Sequence, residues 1–136
     1  MGATIEITRS ENSTADITAE FSNLHGAKIP AERAPRMIDE YPILAIAAAC
    51  AQGSTIMQGL SELKVKESNR LNSIAEGLNA CGVETEILKD SLVVNGNGGP
   101  PSGGGVIHPH HDHRIAMSFS CLGWPHPNQL PSTTAQ

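Results

Sequence analysis

Residues 40–52 hold Ile43, Leu44, Ile46 and five alanines, a stretch that is apolar almost all round and is followed by Gly53. An element with no polar face has to be buried on every side, so this segment predicts a helix clamped between other layers. Nine residues of strong apolarity, 43–51, are far short of the roughly 20 that span a bilayer. The helix therefore belongs to a globular core, and the remaining chain must supply its walls.

Those walls are legible as an alternation of periods. Residues 4–8 and 16–21 read as strands separated by a polar turn or loop at 9–14. After the buried helix, residues 54–58 alternate like a strand. A second helix is expected from Val65 to Cys81, with Leu71, Ile74, Ala75 and Leu78 on one face and Gly82 as its cap. Residues 84–89 and 91–95 read as a hairpin turning near Asp90, and 96–105 as a Gly/Pro loop. A third helix opens at Asp112 and ends near Gly123. The rhythm strand, helix, strand, helix, strand, strand, helix predicts an α/β (α+β) arrangement with helices packed on a sheet. From Trp124 onward the sequence is rich in Pro, Ser, Thr, Asn and Gln without periodicity. The expected organisation is one folded piece over 1–123 and a disordered tail over 124–136, foreign to the fold.

Composition narrows the function classes. With 136 residues the chain suits one domain or a piece of a larger one. Nine Lys and Arg against 14 Asp and Glu give a net charge of −5, and aromatics make up 3%. Neither a basic surface nor stacking aromatics is present, which disfavours nucleic acid as a partner. The N-terminus shows no charged-then-apolar signal pattern, so a soluble, cytoplasmic chain is expected. Cys50, Cys81 and Cys121 have no paired spacing and read as buried thiols in a reducing compartment.

Charge placement carries the chemistry. On the expected boundaries, Lys66 and Arg70 lie in the first turns of the second helix, and His113 and Arg114 in the first turn of the third. Cations there oppose the helix macrodipole at a cost of about 0.3–1 kcal/mol each, unless an anion sits nearby. Helix N-termini also offer N–H groups to anions, so a small polyanion site is one reading. Local ion pairs, Lys66 with Glu62 and Arg70 with Glu67, are the other. Asp39, Glu67 and Asp112 occupy comparable opening positions; Asp39 and Asp112 suit N-caps, and capping is compatible with acid/base work. Glu67 in a closed cleft could serve as an acid.

The cluster His108, His110, His111, Asp112 and His113 fits the H-x-H-x-D-H spacing of metallo-β-lactamase-type hydrolases. Catalytic zinc there requires further ligands downstream, and only His126 follows. A catalytic metal is not expected, although adventitious zinc or nickel binding in vitro is; a non-catalytic anion- or metal-binding domain is the alternative reading.

Three strings weigh the alternatives: R-A-P-R-M-I-D-E-Y-P at 33–42, L-K-V-K-E-S-N-R at 63–70 and D-H-R-I-A-M at 112–117. In sequence, order and spacing they resemble the EPSP synthase (3-phosphoshikimate 1-carboxyvinyltransferase) family, over about residues 16–123. The resemblance implies a βαβαββ unit of the enolpyruvyl transferase fold, with helices on a mixed sheet. It implies transfer of the enolpyruvyl group of phosphoenolpyruvate to the 5-hydroxyl of shikimate 3-phosphate, with release of phosphate and no metal or cofactor. On that resemblance Asp39 contacts a shikimate hydroxyl and accepts its proton, with Lys66 close to the same substrate. Glu67 transfers a proton at the enolpyruvyl carbon. Arg70 and Arg114 hold phosphoenolpyruvate, accompanied in substrate binding by Asp112 and His113. Asn69 departs from the family, which usually has Asp there. The resemblance also implies that about a third of the enzyme is present, that the isolated chain is inactive, and that the remaining part of the enzyme is a complementing partner.

Overall fold

A computed structural model describes residues 1–9 and 14–123. The expected loop at 9–14 and the expected tail at 124–136 thus fall largely or wholly outside the described residues. Two sheets form. Strands β1 (Thr4–Arg9) and β2 (Ala15–Glu20) pair antiparallel as a two-stranded ribbon, with Ile7 opposite Ile17 and Ile5 opposite Ala19. Alternation puts Ile5, Ile7, Ile17 and Ala19 on one face and Glu6, Thr8, Asp16 and Thr18 on the other. Every residue of both strands is exposed, the apolar face included.

The main sheet has four strands in the order β3 (Lys28–Ile29), β4 (Gln52–Met57), β6 (Ser91–Asn97), β5 (Glu84–Leu88). β3 runs parallel to β4, and the other pairs are antiparallel. Between β3 and β4 lie two helices, α1 (Ala34–Met37) and α2 (Tyr41–Ala49); α3 (Arg70–Ala80) joins β4 to β5, and α4 (His113–Leu122) follows β6. From β3 to β6 the order is βαβαββ, with helices on a mixed sheet, as expected. Sequence reading missed β3, whose two residues pair only with a strand 28 positions away, and α1, which is a single turn.

α2 lies against β6, α3 against β5, and α4 packs across α2 and α3. The alanine-rich segment is thus clamped on both sides: Ala45, Ala48 and Ala49 are buried, with Tyr41 and Ile46. Small side chains let β6 come so close that a Cβ on Gly96 would stand 2.2 Å from the Ala51 carbonyl oxygen and 2.4 Å from that of Ala48. Met57, Leu60, Leu63, Leu71, Ile74, Leu78, Leu92, Val94 and Ile115 complete a core without exposed members.

Several boundaries move. α2 stops at Ala49, and the chain enters β4 at Gln52, so Gly53 sits inside the strand at φ +89° instead of ending the helix. α3 begins at Arg70, five residues later than expected, because 61–65 form a 3-10 turn and Asn69 is the N-cap. Its other end is as expected: Gly82 at φ +82° donates to the Asn79 carbonyl and Val83 to that of Leu78, a Schellman motif. The hairpin turns through Lys89, at φ +54°, and Asp90. β6 continues to Asn97, beyond the expected 95, so the Gly/Pro loop starts two residues later. Cys81 is buried and Cys50 half-buried, and burial pushes both thiols up from their ordinary pKa; Cys121 is exposed, against expectation. No helix among the described residues is long and apolar enough to cross a membrane.

Candidate active site

The N-terminal ends of α3 and α4 meet the turn that precedes α2, and Arg70 stands at the junction. It is the first residue of α3, and its side chain is 1% exposed. A buried guanidinium is tolerated only if its donors are satisfied by charge. Here each nitrogen has a carboxylate. Nε donates to Asp112 Oδ2 at 2.7 Å, Nη1 to Asp39 Oδ1 at 2.8 Å and Nη2 to Glu67 Oε2 at 2.5 Å. Burial pulls the Arg70 pKa down, but the Asp112 hydrogen bond and charge, with Asp39 and Glu67, outweigh it and hold the group above its ordinary value.

The three carboxylates differ in access. Asp112 has no exposed side-chain surface, whereas Asp39 and Glu67 are 45% and 54% exposed. Asp112 is the N-cap of α4, as expected: Oδ1 accepts from the Arg114 N–H at 3.0 Å and the Ile115 N–H at 3.4 Å. Its Oδ2 also accepts from Ser68 Oγ at 3.0 Å. Burial opposes its ionisation, yet the Arg70 and Ser68 hydrogen bonds, the Arg70 charge and the Ile115 N–H hold its carboxyl below the ordinary value.

Asp39 is not an N-cap, contrary to the sequence reading. It lies in a 3-10 turn, Ile38–Glu40, and α2 starts without a side-chain cap, Pro42 needing no partner in its first turn. Freed from capping, Asp39 faces two cations. Besides Arg70, Lys66 Nζ approaches its Oδ1 at 3.8 Å, and Lys66 pairs at 2.8 Å with Glu62. The hydrogen bond with Glu62 is the main cause of a raised Lys66 pKa. Arg114 Nη1 reaches the Asp39 carbonyl at 3.2 Å and Glu40 Oε1 at 3.1 Å. His113 is the first residue of α4 and exposed.

Two parts of the electrostatic reading are corrected. Lys66 precedes α3, so the macrodipole does not act on it as supposed, and Glu67 does not occupy the opening position expected of it. The helix ends are also occupied: Asn69 accepts from the Asn72 N–H, and Asp112 from two N–H groups of α4. The cations that remain to be accounted for are side chains. The local pairs Lys66–Glu62 and Arg70–Glu67 do form, but as edges of a wider network.

Sequence reasoning missed Ser68 and Glu40 as members of this network. Ser68 donates to Asp112, 44 residues further on, so no local pattern announces its role. The histidine cluster does not assemble around a metal. Asp112 turns inward to Arg70, and no three His, Cys, Asp or Glu side chains converge to hold an ion among the described residues.

The motifs that converge here are those on which the family resemblance rests, and comparison with known proteins agrees. Residues 1–128 match the family model described as EPSP synthase (3-phosphoshikimate 1-carboxyvinyltransferase), beyond both ends of the expected 16–123. The 3-phosphoshikimate 1-carboxyvinyltransferase of Methylorubrum populi is 60% identical over 109 residues, covering 80% of this chain and 24% of that protein. The protein of the same name from Phenylobacterium zucineum is 54% identical over 127 residues, covering 90% of this chain and 28% of its own length. A solved structure of EPSP synthase from Acinetobacter baumannii superposes with a TM-score of 0.82 at 40% identity, over 88% of this chain and 29% of that one. The chain thus spans about a quarter of the length of the relatives it matches. On sequence, fold and the convergence of its three motifs, the chain belongs to the EPSP synthase family.

Proposed function

We propose that this chain carries one half of the substrate site of an enolpyruvyl transferase acting on shikimate 3-phosphate and phosphoenolpyruvate. The observation that carries the reading is the convergence on Arg70 of Asp39, 31 residues before it, and Asp112, 42 residues after it, with Arg114 held against the same Asp39. Convergent cations and acid/base groups suit a reaction that needs positioning and proton transfer.

In that reaction the 5-hydroxyl oxygen bonds to C2 of phosphoenolpyruvate while its proton passes to a base and another proton is added at C3. The tetrahedral intermediate then loses phosphate from C2 and a proton from the methyl group, which restores the double bond. Asp39 is the base for the hydroxyl, with Lys66 beside it to stabilise the developing charge. Glu67 gives and retrieves the proton at C3. Arg70 and Arg114 take the carboxylate of phosphoenolpyruvate in fork geometry, and His113, exposed at the start of α4, adds a donor at the rim.

Three cations of the cluster, Lys66, Arg70 and Arg114, face five carboxylates, Asp39, Glu40, Glu62, Glu67 and Asp112. This half-site is acidic, so two phosphorylated substrates need cations from elsewhere, and the isolated chain is expected to be inactive. The complementing partner is the remaining part of the enzyme, and the setting is the cytoplasm.

The test is an amide NMR titration of the chain with each substrate in EDTA, repeated with zinc alone. Shifts at residue 39, at 66–70 and at 112–114 with the organic anions are expected. Response confined to the histidines, and to zinc, overturns the reading in favour of a metal-binding domain. Phosphate release from the two substrates by the pure chain would contradict the expected inactivity.

A further inference from the structure

Arg70 is offered to a ligand through only part of its guanidinium, and Asp112 fixes the other part. Asp39 and Glu67, each about half exposed, can release Nη1 and Nη2 to an anion and remain beside it for their acid/base roles. Asp112 cannot, having no exposed side-chain surface. Only the Nε edge can therefore keep the guanidinium in plane while its other partners exchange. The orientation of that plane depends on what fixes the Asp112 carboxylate.

Four donors do so. Oδ1 is spent on the two N–H groups of α4, and Oδ2 is shared between Arg70 Nε and the Ser68 hydroxyl. Ser68 is bound to the same unit through its backbone, since its carbonyl accepts from the Arg70 N–H at 2.8 Å. Asp112 is delivered to this position by His110 and His111, at φ +51° and +61°. Two consecutive non-glycine residues in the left-handed region cost free energy that the surrounding contacts must offset. Remove the hydroxyl and Oδ2 keeps a single partner, leaving the buried carboxylate with an unfilled acceptor position and freedom to turn.

We propose that Ser68 and Asp112 are positioning residues that form the fixed seat of Arg70, setting the plane in which its outer nitrogens meet the carboxylate of phosphoenolpyruvate. The proposal rests on the anion-binding reading above, and gives Asp112 a role without substrate contact, in place of the substrate-binding role that the resemblance implied.

The experiment compares the full chain with Ser68→Ala and Ser68→Thr, each checked for folding by circular dichroism, and uses two readouts. The first is hydrogen exchange of the Arg70 Nε–H resonance in 15N-labelled protein. The second is the dissociation constant for phosphoenolpyruvate. Ser68→Ala is expected to speed exchange and weaken binding by about fivefold, the worth of one net hydrogen bond, while Ser68→Thr, which keeps the hydroxyl, restores both. A merely structural serine would lower the unfolding midpoint and move neither. Unchanged exchange in Ser68→Ala, or a threonine variant that behaves like alanine, overturns the proposal. If the parent chain binds no phosphoenolpyruvate, the half-site reading fails, and the Nε–H comparison still decides whether Ser68 seats Arg70.

Discussion

Arg70 and Asp112 bind each other through a 2.7 Å Nε–Oδ2 hydrogen bond between side chains that are 1% and 0% exposed. Cutting a buried pair leaves one charge stranded, at a cost of about 3–5 kcal/mol. Asp112→Ala is expected to destabilise the chain by that amount in urea unfolding. Glu67→Gln, at a partner that is 54% exposed, is expected to cost no more than about 1 kcal/mol. Equal losses from the two substitutions would refute the division into a fixed and an exchangeable partner.

The same pair contributes to the acid limit of the fold. The native Asp112 carboxyl is held below its ordinary value, so the unfolded chain takes up its proton first as pH falls. Its contribution is fully present above the unfolded value, near pH 4, and is lost as pH drops through the lower native one. Stability followed by circular dichroism should be flat in this respect above about pH 5 and fall below about pH 4. Asp112→Asn should start lower and show a shallower acid limb; an unchanged slope would mean that other carboxylates govern it.

At Gly96 strand β6 comes close against the C-terminal end of α2 and the residues that follow it. A methyl group there meets the carbonyl oxygens of Ala48 and Ala51, which are backbone and cannot rotate away. Gly96→Ala is expected to cost about 1–3 kcal/mol through displacement of β6 from α2. Thermal unfolding measures it, and a neutral outcome would show that the sheet can slide without loss.

The β1–β2 ribbon presents Ile7 and Ile17, cross-strand partners that are 59% and 68% exposed. The chain should enhance the fluorescence of a hydrophobic dye such as ANS. Ile7→Lys combined with Ile17→Glu should reduce that signal and change stability by less than about 0.5 kcal/mol, because neither side chain packs on the core. A dye signal that survives the double substitution would place the exposed apolar surface elsewhere.

Local signals told the truth about local features. The Asp112 cap, the Gly82 stop, the turn at Asp90 and the all-apolar helix each follow from a few adjacent residues. Helix α3 was read five residues too long because charged Lys66 and Glu67 are good helix formers. Asn69, a preferred N-cap just ahead of the apolar periodicity, was the signal that competed with them. The two-residue strand β3 depends on a distant partner, and no pattern in Lys28–Ile29 announces it. At the site, the motifs were visible as strings, but the burial of Arg70 was not. An arginine at the start of an amphipathic helix reads as solvated until carboxylates from two remote segments are known to surround it. Asp39 was misread for a related reason: its cap-like position was visible, and its tertiary partners were not.

Because Arg70 opens α3 and Asp112 caps α4, the two helices start at one point in space although 42 residues separate these side chains. That contact closes a loop of 42 residues, an entropy cost that the surrounding network offsets. A chain whose sheet has formed while α4 is still detached therefore has no seated guanidinium and no site. Seating of Arg70 and docking of α4 are then one event, and a ligand that recognised Arg70 in its seat would tell molecules with α4 docked from those without.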